Sequence, residues 1–274
     1  MDAITSRAGN TPEFENILET ERRSWYRTFL QGVAVTAGVL LCAYAVGMLD
    51  GGRLADGLPA IGLLMSEMLP PDFSNATDWI GPIVDTLAMS VAGTALAVIL
   101  SFPLAFLAAR NTAPNPAVYH VARSILNALR SIPELIMGIV FVAAVGFGAL
   151  PGVLALGLHS VGMVGKFFAE AIEHAHPAPI EAARAAGARP IQVITHGVLP
   201  QVIAQFADVS MYRWEYNFRA STVMGMVGAG GIGLELMGSL RLMQYTEVSA
   251  ILLVILVMVT VVDTLSGILR RKFK

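Results

Sequence analysis

Arg213, Glu215 and Arg219 stand among apolar residues in one stretch of the chain. A charge surrounded by hydrocarbon is costly unless it is paired or faces water, so such residues by default mark a pathway for polar cargo. Glu215 and Arg219 are four apart, however, and on a helix they can neutralise each other and simply fix packing. The sequence leaves both readings open. Glu134 and His159 are further titratable residues in apolar runs, although a lone histidine on such a helix is more often a packing residue.

Other chemistries find no support. Gly228-Ala-Gly230-Gly231-Ile-Gly233 satisfies G-x-G-x-x-G, but no strand precedes it and no βαβ unit surrounds it, so a dinucleotide site is rejected. The glycines are expected instead to break a helix, as a tight turn or as a hinge or gate. No G-x-x-x-x-G-K-[ST] occurs; Gly162-Met-Val-Gly165-Lys166 is too short, so the chain is not expected to hydrolyse ATP. Cys42 is single and lies in an apolar run, and His174 and His176 have no further ligands near them, so no metal site is expected. No serine-histidine-acid arrangement is recognisable.

The elements that must position these residues are membrane helices. Of 274 residues 55% are apolar and only 14% charged, where a soluble domain carries about 25%. The apolar residues come in runs of a length that crosses the ~30 Å hydrocarbon layer. Six spans are expected, at about 28–49, 82–109, 121–148, 152–174, 199–224 and 246–269, with a tight turn at Leu150-Pro151-Gly152. Residues 57–70 are apolar but short and read as interfacial or re-entrant. The polar, acidic start of the chain is not expected to be a cleavable signal peptide. With the N-terminus inside, thirteen Lys and Arg residues fall on the inner side and only Arg53 and Arg241 on the outer side. That bias predicts a multi-pass protein with both termini cytoplasmic. The organisation expected is a cytoplasmic segment 1–27, a first span and external loop 28–81, and a core 82–274. A net charge of −2 suggests no nucleic-acid partner.

This topology puts the polar stretch 175–198 in the cytoplasm. Pro179 suits the first position of a helix, Glu181 complements the positive helix start, and Ala182, Ala183, Ala185 and Ala186 are strong helix formers. Gly187 suits a left-handed cap, and Pro190 stops the helix. A rigid helix of about two turns, at about 179–187, is the result. It suits a groove on a partner, and local propensity alone also accounts for it.

Its spacing adds more. Glu181-Ala182-Ala183, then Gly187, then Leu199-Pro200 resembles the EAA loop of permeases in bacterial ATP-binding-cassette importers, with Gly197 where that pattern usually has isoleucine. Residues 82–269 are similar to the permeases of the methionine-importer type. Arg130–Met137, Leu158–Ile172 and Tyr212–Gly233 resemble permeases of phosphonate importers. The resemblance implies an all-α, type I importer permease fold in the bacterial inner membrane, working as a homodimer with lipid around it. It further implies two cytoplasmic ATPase subunits, which use ATP and Mg while this chain binds no cofactor, and an extracytoplasmic binding protein that delivers substrate. The coupling helix would carry Glu181, Ala182, Ala183 and Gly187, followed by Leu199 and Pro200. An anionic phosphonate gives the arginines a purpose, because a guanidinium matches phosphoryl oxygens. Arg213 or Arg219 would attract it and Glu215 would prevent trapping, with Glu134 and His159 as further pathway candidates.

Two rivals differ in kind. An ion-coupled secondary transporter of a small anion explains the buried charges but not the Ala-rich helix. A membrane-embedded enzyme using His159 and the carboxylates has no motif behind it. Within the family resemblance, phosphate and phosphite are alternative substrates.

Overall fold

The computed structural model describes residues 12–272, and among them every regular element is helical. The chain divides into two units, residues 1–65 and 66–274. The first contains α1 (Pro12–Ala45) and most of α2 (Gly51–Glu67). The apolar part of α1, Glu19–Ala45, is long enough to cross a membrane, and its Leu30, Val35, Leu41 and Tyr44 are exposed. α2 occupies the stretch whose apolar part reads as too short to span.

The second unit begins with a loop held against the last helix: Asp72 N–H donates to the Thr246 carbonyl, and Ser249 Oγ donates to the Met68 carbonyl. Then follow α3 (Ile80–Ala108), α4 (Pro116–Ser131), α5 (Glu134–Val145) and α6 (Ala149–Glu173). α3 and α6 form the centre. Small residues at their contact, Ala97, Ser101 and Ala105, let the axes approach Val161, Val164 and Phe168, and all six are buried. Phe168 stacks on Phe206 at 3.9 Å between ring centres. Lipid is as apolar as these side chains, so close packing and bonds between helices hold such a bundle more than water exclusion does.

A single span over 121–148 does not form. α4 and α5 meet at an angle of 85°. Pro133 offers no N–H and forces Ile132 out of the helical region, to φ −88°, ψ 120°. Glu134 is therefore the first residue of a second half-helix. The turn expected at Leu150–Gly152 lies earlier, at Gly146–Gly148, both of positive φ, and Pro151 sits in the first turn of α6, where proline costs nothing.

After α6 comes α7 (Pro177–Ala185), then the single turn α8 (Pro190–Gln192), a π-helical segment (Val193–Val198) and α9 (Leu199–Met224). The widened turns precede Pro200, whose ring excludes a normal bond to the carbonyl four residues back. A 3-10 turn (Gly225–Val227) and a glycine-rich bend lead to α10 (Ile232–Arg241) and α11 (Tyr245–Lys272). Among the described residues four helices are long and apolar enough to span a membrane, and six spans result if each bent pair counts as one.

Candidate functional site

Three structures gather the residues singled out by sequence. The first is α7. His176, rather than the loop before Pro179, caps it: its Nδ1 accepts from the Ala178 N–H at 3.2 Å, and Pro177 takes the first helical position. The expected start at Pro179 is therefore two residues late, because the cap is made by a histidine that propensity does not flag. At the other end Ala188 N–H donates to the Ala183 carbonyl and Gly187 N–H to the Arg184 carbonyl, with Gly187 at φ +79°. That pair of bonds is the Schellman closure, which needs a left-handed residue.

Underneath, Ile180 is the one buried side chain of α7 and enters the α3–α6 core with Val193 and Val198. Gly197 lies against it; a Cβ there would stand 3.3 Å from Ile180 Cα and 3.4 Å from the Pro179 carbonyl oxygen. Glycine at this point thus seats α7 directly on the backbone leading into α9. Gln201 completes the seat by accepting from the His176 N–H at 2.9 Å and donating to the Gly197 carbonyl at 2.5 Å. Glu181, Ala182, Arg184, Ala185 and Ala186 remain exposed, a smooth face on a fixed body. Leu199 and Pro200 begin α9 behind it. Sequence spacing alone reveals none of the seat-forming residues Ile180, His176 and Gln201.

The second structure is α9, whose faces do different work. Arg213, Asn217 and Ser221 recur every four residues and point inward. Arg213 Nε donates to Ser160 Oγ at 2.7 Å, and Ser160 Oγ donates to Asn217 Oδ1 at 2.9 Å. Asn217 Nδ2 donates to Thr94 Oγ1 at 2.9 Å, and Ser221 Oγ to the Thr86 carbonyl. This ladder ties α9 to α3 and α6. Arg213 is 1% exposed, its guanidinium lies 4.1 Å from the centre of the Tyr216 ring, and its Nη2 has no hydrogen-bond partner. Glu215 and Arg219 point elsewhere, toward α11. Arg219 Nη1 lies 3.3 Å from Glu215 Oε1 and 3.1 Å from Asp263 Oδ1, and its side chain is 42% exposed. Arg270 Nε reaches Asp208 Oδ1 at 2.9 Å, and its Nη1 lies 3.9 Å from Glu215 Oε2. The trio read from sequence as one group is therefore split: Arg213 belongs to the core and the pair belongs to the α9–α11 face.

Glu134 and His159 come together beside Arg213. Glu134 Oε2 lies 3.0 Å from His159 Nε2, and Glu134 Oε1 accepts from the Tyr216 hydroxyl at 2.8 Å. α5, α6 and α9 meet at this cluster.

The third structure is the glycine bend. Gly228, Gly230 and Gly231 have positive φ, and all four glycines through Gly233 are buried. Gly233 permits contact of another kind: a Cβ on it would sit 1.8 Å from the Thr222 carbonyl oxygen. The Gly148 N–H donates to the Gly228 carbonyl at 3.3 Å, so this bend and the turn after α5 abut.

A family model described as binding-protein-dependent transport system inner membrane component matches residues 101–274. The phosphite transport system permease protein PtxC of Stutzerimonas stutzeri is 69% identical over 260 residues, 95% of this chain and 94% of that protein. The phosphate-import permease protein PhnE of Mycolicibacterium smegmatis is 46% identical over 219 residues, 80% of this chain and 41% of its own. Among solved structures, the inward-facing MetNI methionine ABC transporter matches 72% of this chain and 96% of its own, with a TM-score of 0.62 at 22% identity. That last likeness concerns the fold.

Proposed function

Because this chain belongs to the family of binding-protein-dependent transport system inner membrane components, we propose that it carries phosphite or phosphonates inward by alternating access. Membership makes it an inner-membrane permease subunit rather than an enzyme, with the ATPase on a separate subunit and a substrate-binding protein as partner. The observation that carries the coupling role is the seat of α7. A short helix fixed at both ends and from below, exposing two prolines, alanines, Glu181 and Arg184, transmits displacement without deforming. The ATPases consume ATP and Mg, and this chain contributes the lever.

Two copies of the chain, with termini on the cytoplasmic side, enclose the path in this reading. The lysine and arginine bias supports that orientation. Of the two arginines, Arg219 is the one accessible to an oxyanion, and Glu215 and Asp263 keep its hold weak enough for release. Arg213 acts through the core it organises. The glycines at 228–233 let the α9–α10 bend serve as the outer gate. The phosphite named for the 69% identical relative supports the substrate class, as does the fit of a guanidinium to phosphorus oxyanions.

The experiment is ATP hydrolysis by the permease reconstituted in liposomes with the ATPase and binding protein encoded beside it. Phosphite, methylphosphonate, phosphate and sulfate are offered in turn. Stimulation by phosphite or methylphosphonate above phosphate, and none by sulfate, is the expected result. Equal stimulation by all four would reject the substrate class. Uptake driven by an ion gradient without any ATPase would reject the importer reading in favour of a secondary transporter.

A further inference from the structure

The bend between α4 and α5 has two ends, and both reach the same imidazole. His159 Nδ1 lies 3.0 Å from the carbonyl oxygen of Ile132, the last residue before Pro133. His159 Nε2 lies 3.0 Å from Oε2 of Glu134, the first residue after it. A carbonyl oxygen only accepts, so Nδ1 must carry a hydrogen and donate it. A neutral ring then presents a lone pair at Nε2, facing the oxygen of a carboxylate. That contact holds only with one more proton, on the ring or on the carboxyl.

We infer that Glu134 and His159 share one exchangeable proton, and that this proton clasps the bend between α4 and α5. The surroundings suit the task. The second carboxylate oxygen is occupied by the Tyr216 hydroxyl, so the extra proton is confined to the imidazole side. The titratable and charged groups acting on the Glu134 carboxylate besides His159 come from α9: the Tyr216 hydroxyl directly, and the Arg213 guanidinium over the Tyr216 ring. The His159 and Glu134 side chains are 11% and 21% exposed, enclosed enough to hold geometry yet open to proton exchange. Loss of the proton sets a lone pair against a carboxylate and frees the start of α5 from α6. Since the end of α5 abuts the glycine bend, the half-helix that is released is one that braces the α9–α10 turn. The inference is independent of which substrate is carried.

The test is a distance across the bend in the full-length chain in lipid nanodiscs. Spin labels go on V121C and V140C, both exposed positions, with the exposed Cys42 replaced by serine. Measurements run from about pH 5 to about pH 9, a window that brackets the ordinary imidazole. In the parent a single distance population at the acidic end gives way to a second population at the alkaline end. Glu134→Gln keeps the single population throughout, because its amide N–H donates to a neutral Nε2 and, turned over, its oxygen accepts from a protonated one, while the Tyr216 hydroxyl can donate or accept in turn. A parent distribution that does not change with pH overturns the inference, and so does a Glu134→Gln variant that follows the parent. Should that variant fail to insert, His159→Gln replaces it. It removes the imidazole, so a pH-dependent second population in it overturns the inference, and its absence supports it.

Discussion

Arg213 and Arg219 stand six residues apart on α9, yet Arg213 is sealed against Ser160 of α6 while Arg219 lies part-exposed against Asp263 of α11. Six residues is well short of two helical turns, so the two side chains leave the helix in different directions. One holds the bundle together from inside, and the other is available to solvent or cargo. The functional weight of an arginine here follows from the face it occupies, which sequence position alone does not state.

Ser160→Ala tests the inner arginine. It removes the acceptor of Arg213 Nε and a donor to Asn217, in a site where Nη2 already lacks a partner. Leaving a buried charged donor unpaired costs about 1–3 kcal/mol or more. The melting temperature of the detergent-solubilised permease should fall by several degrees, with transport per folded molecule retained. A variant as stable as the parent would show that the ladder through Ser160 contributes little.

Arg219→Gln tests the outer one. Its ion pairs are part-exposed, and such pairs contribute roughly 0–1 kcal/mol, so the melting temperature should barely move. Uptake of phosphite should nevertheless drop about tenfold, the factor that roughly 1.4 kcal/mol of lost anion interaction produces. Asp263→Asn, which removes one negative charge but keeps the guanidinium and leaves Glu215 beside it, should leave uptake within about twofold, well inside that same scale. Unchanged uptake in Arg219→Gln would remove Arg219 from the path.

Gly233→Ala and Gly238→Ala separate packing from propensity. The first would thrust a Cβ into the Thr222 carbonyl, and backbone cannot swing aside, whereas the second meets nothing within 4 Å. Gly233→Ala should abolish insertion or cost at least ~3 kcal/mol, in the range of severe overpacking. Gly238→Ala, inside α10, should gain about 0.5–1 kcal/mol from reduced backbone freedom. Membrane-fraction yield and thermal unfolding compare them directly.

The legible parts of this molecule are the local ones. Gly187 and Gly228 announce left-handed backbone because few other residues adopt it, and each sits at a helix end. Four of the six apolar runs become helices long enough to match the hydrocarbon layer, and the other two fall on bent helix pairs. The bend at Pro133 is hidden inside the stretch 121–148, whose length reads as one span. The signals that reveal it are Pro133 itself and the polar residues His120, Arg123, Asn127 and Arg130 on the preceding half. Pairings such as Arg270 with Asp208 and Arg219 with Asp263 join positions 62 and 44 residues apart, and no spacing rule reaches that far. His159 looks like a packing residue in sequence; only the fold brings the two ends of the bend to its two nitrogens.

Gly187→Ala isolates the lever from the rest of the protein. Gly187 has φ +79° and no atom within 4 Å of a hypothetical Cβ, so the substitution introduces conformational strain and no clash. A residue with a Cβ in that region costs about 1–2 kcal/mol, enough to fray the bonds from Gly187 and Ala188 back to Arg184 and Ala183. The spans do not depend on these bonds, so insertion and the melting temperature should match the parent. Substrate-stimulated ATP hydrolysis in the reconstituted complex should fall severalfold, because a frayed α7 yields when pushed. Asparagine tolerates the left-handed region better than alanine, so Gly187→Asn should retain an intermediate rate. A ranking of glycine over asparagine over alanine in coupled hydrolysis, at equal stability, is the signature of a rigid cap. Equal coupling in all three would mean that the exposed face of α7, and not the closure of its end, carries the force.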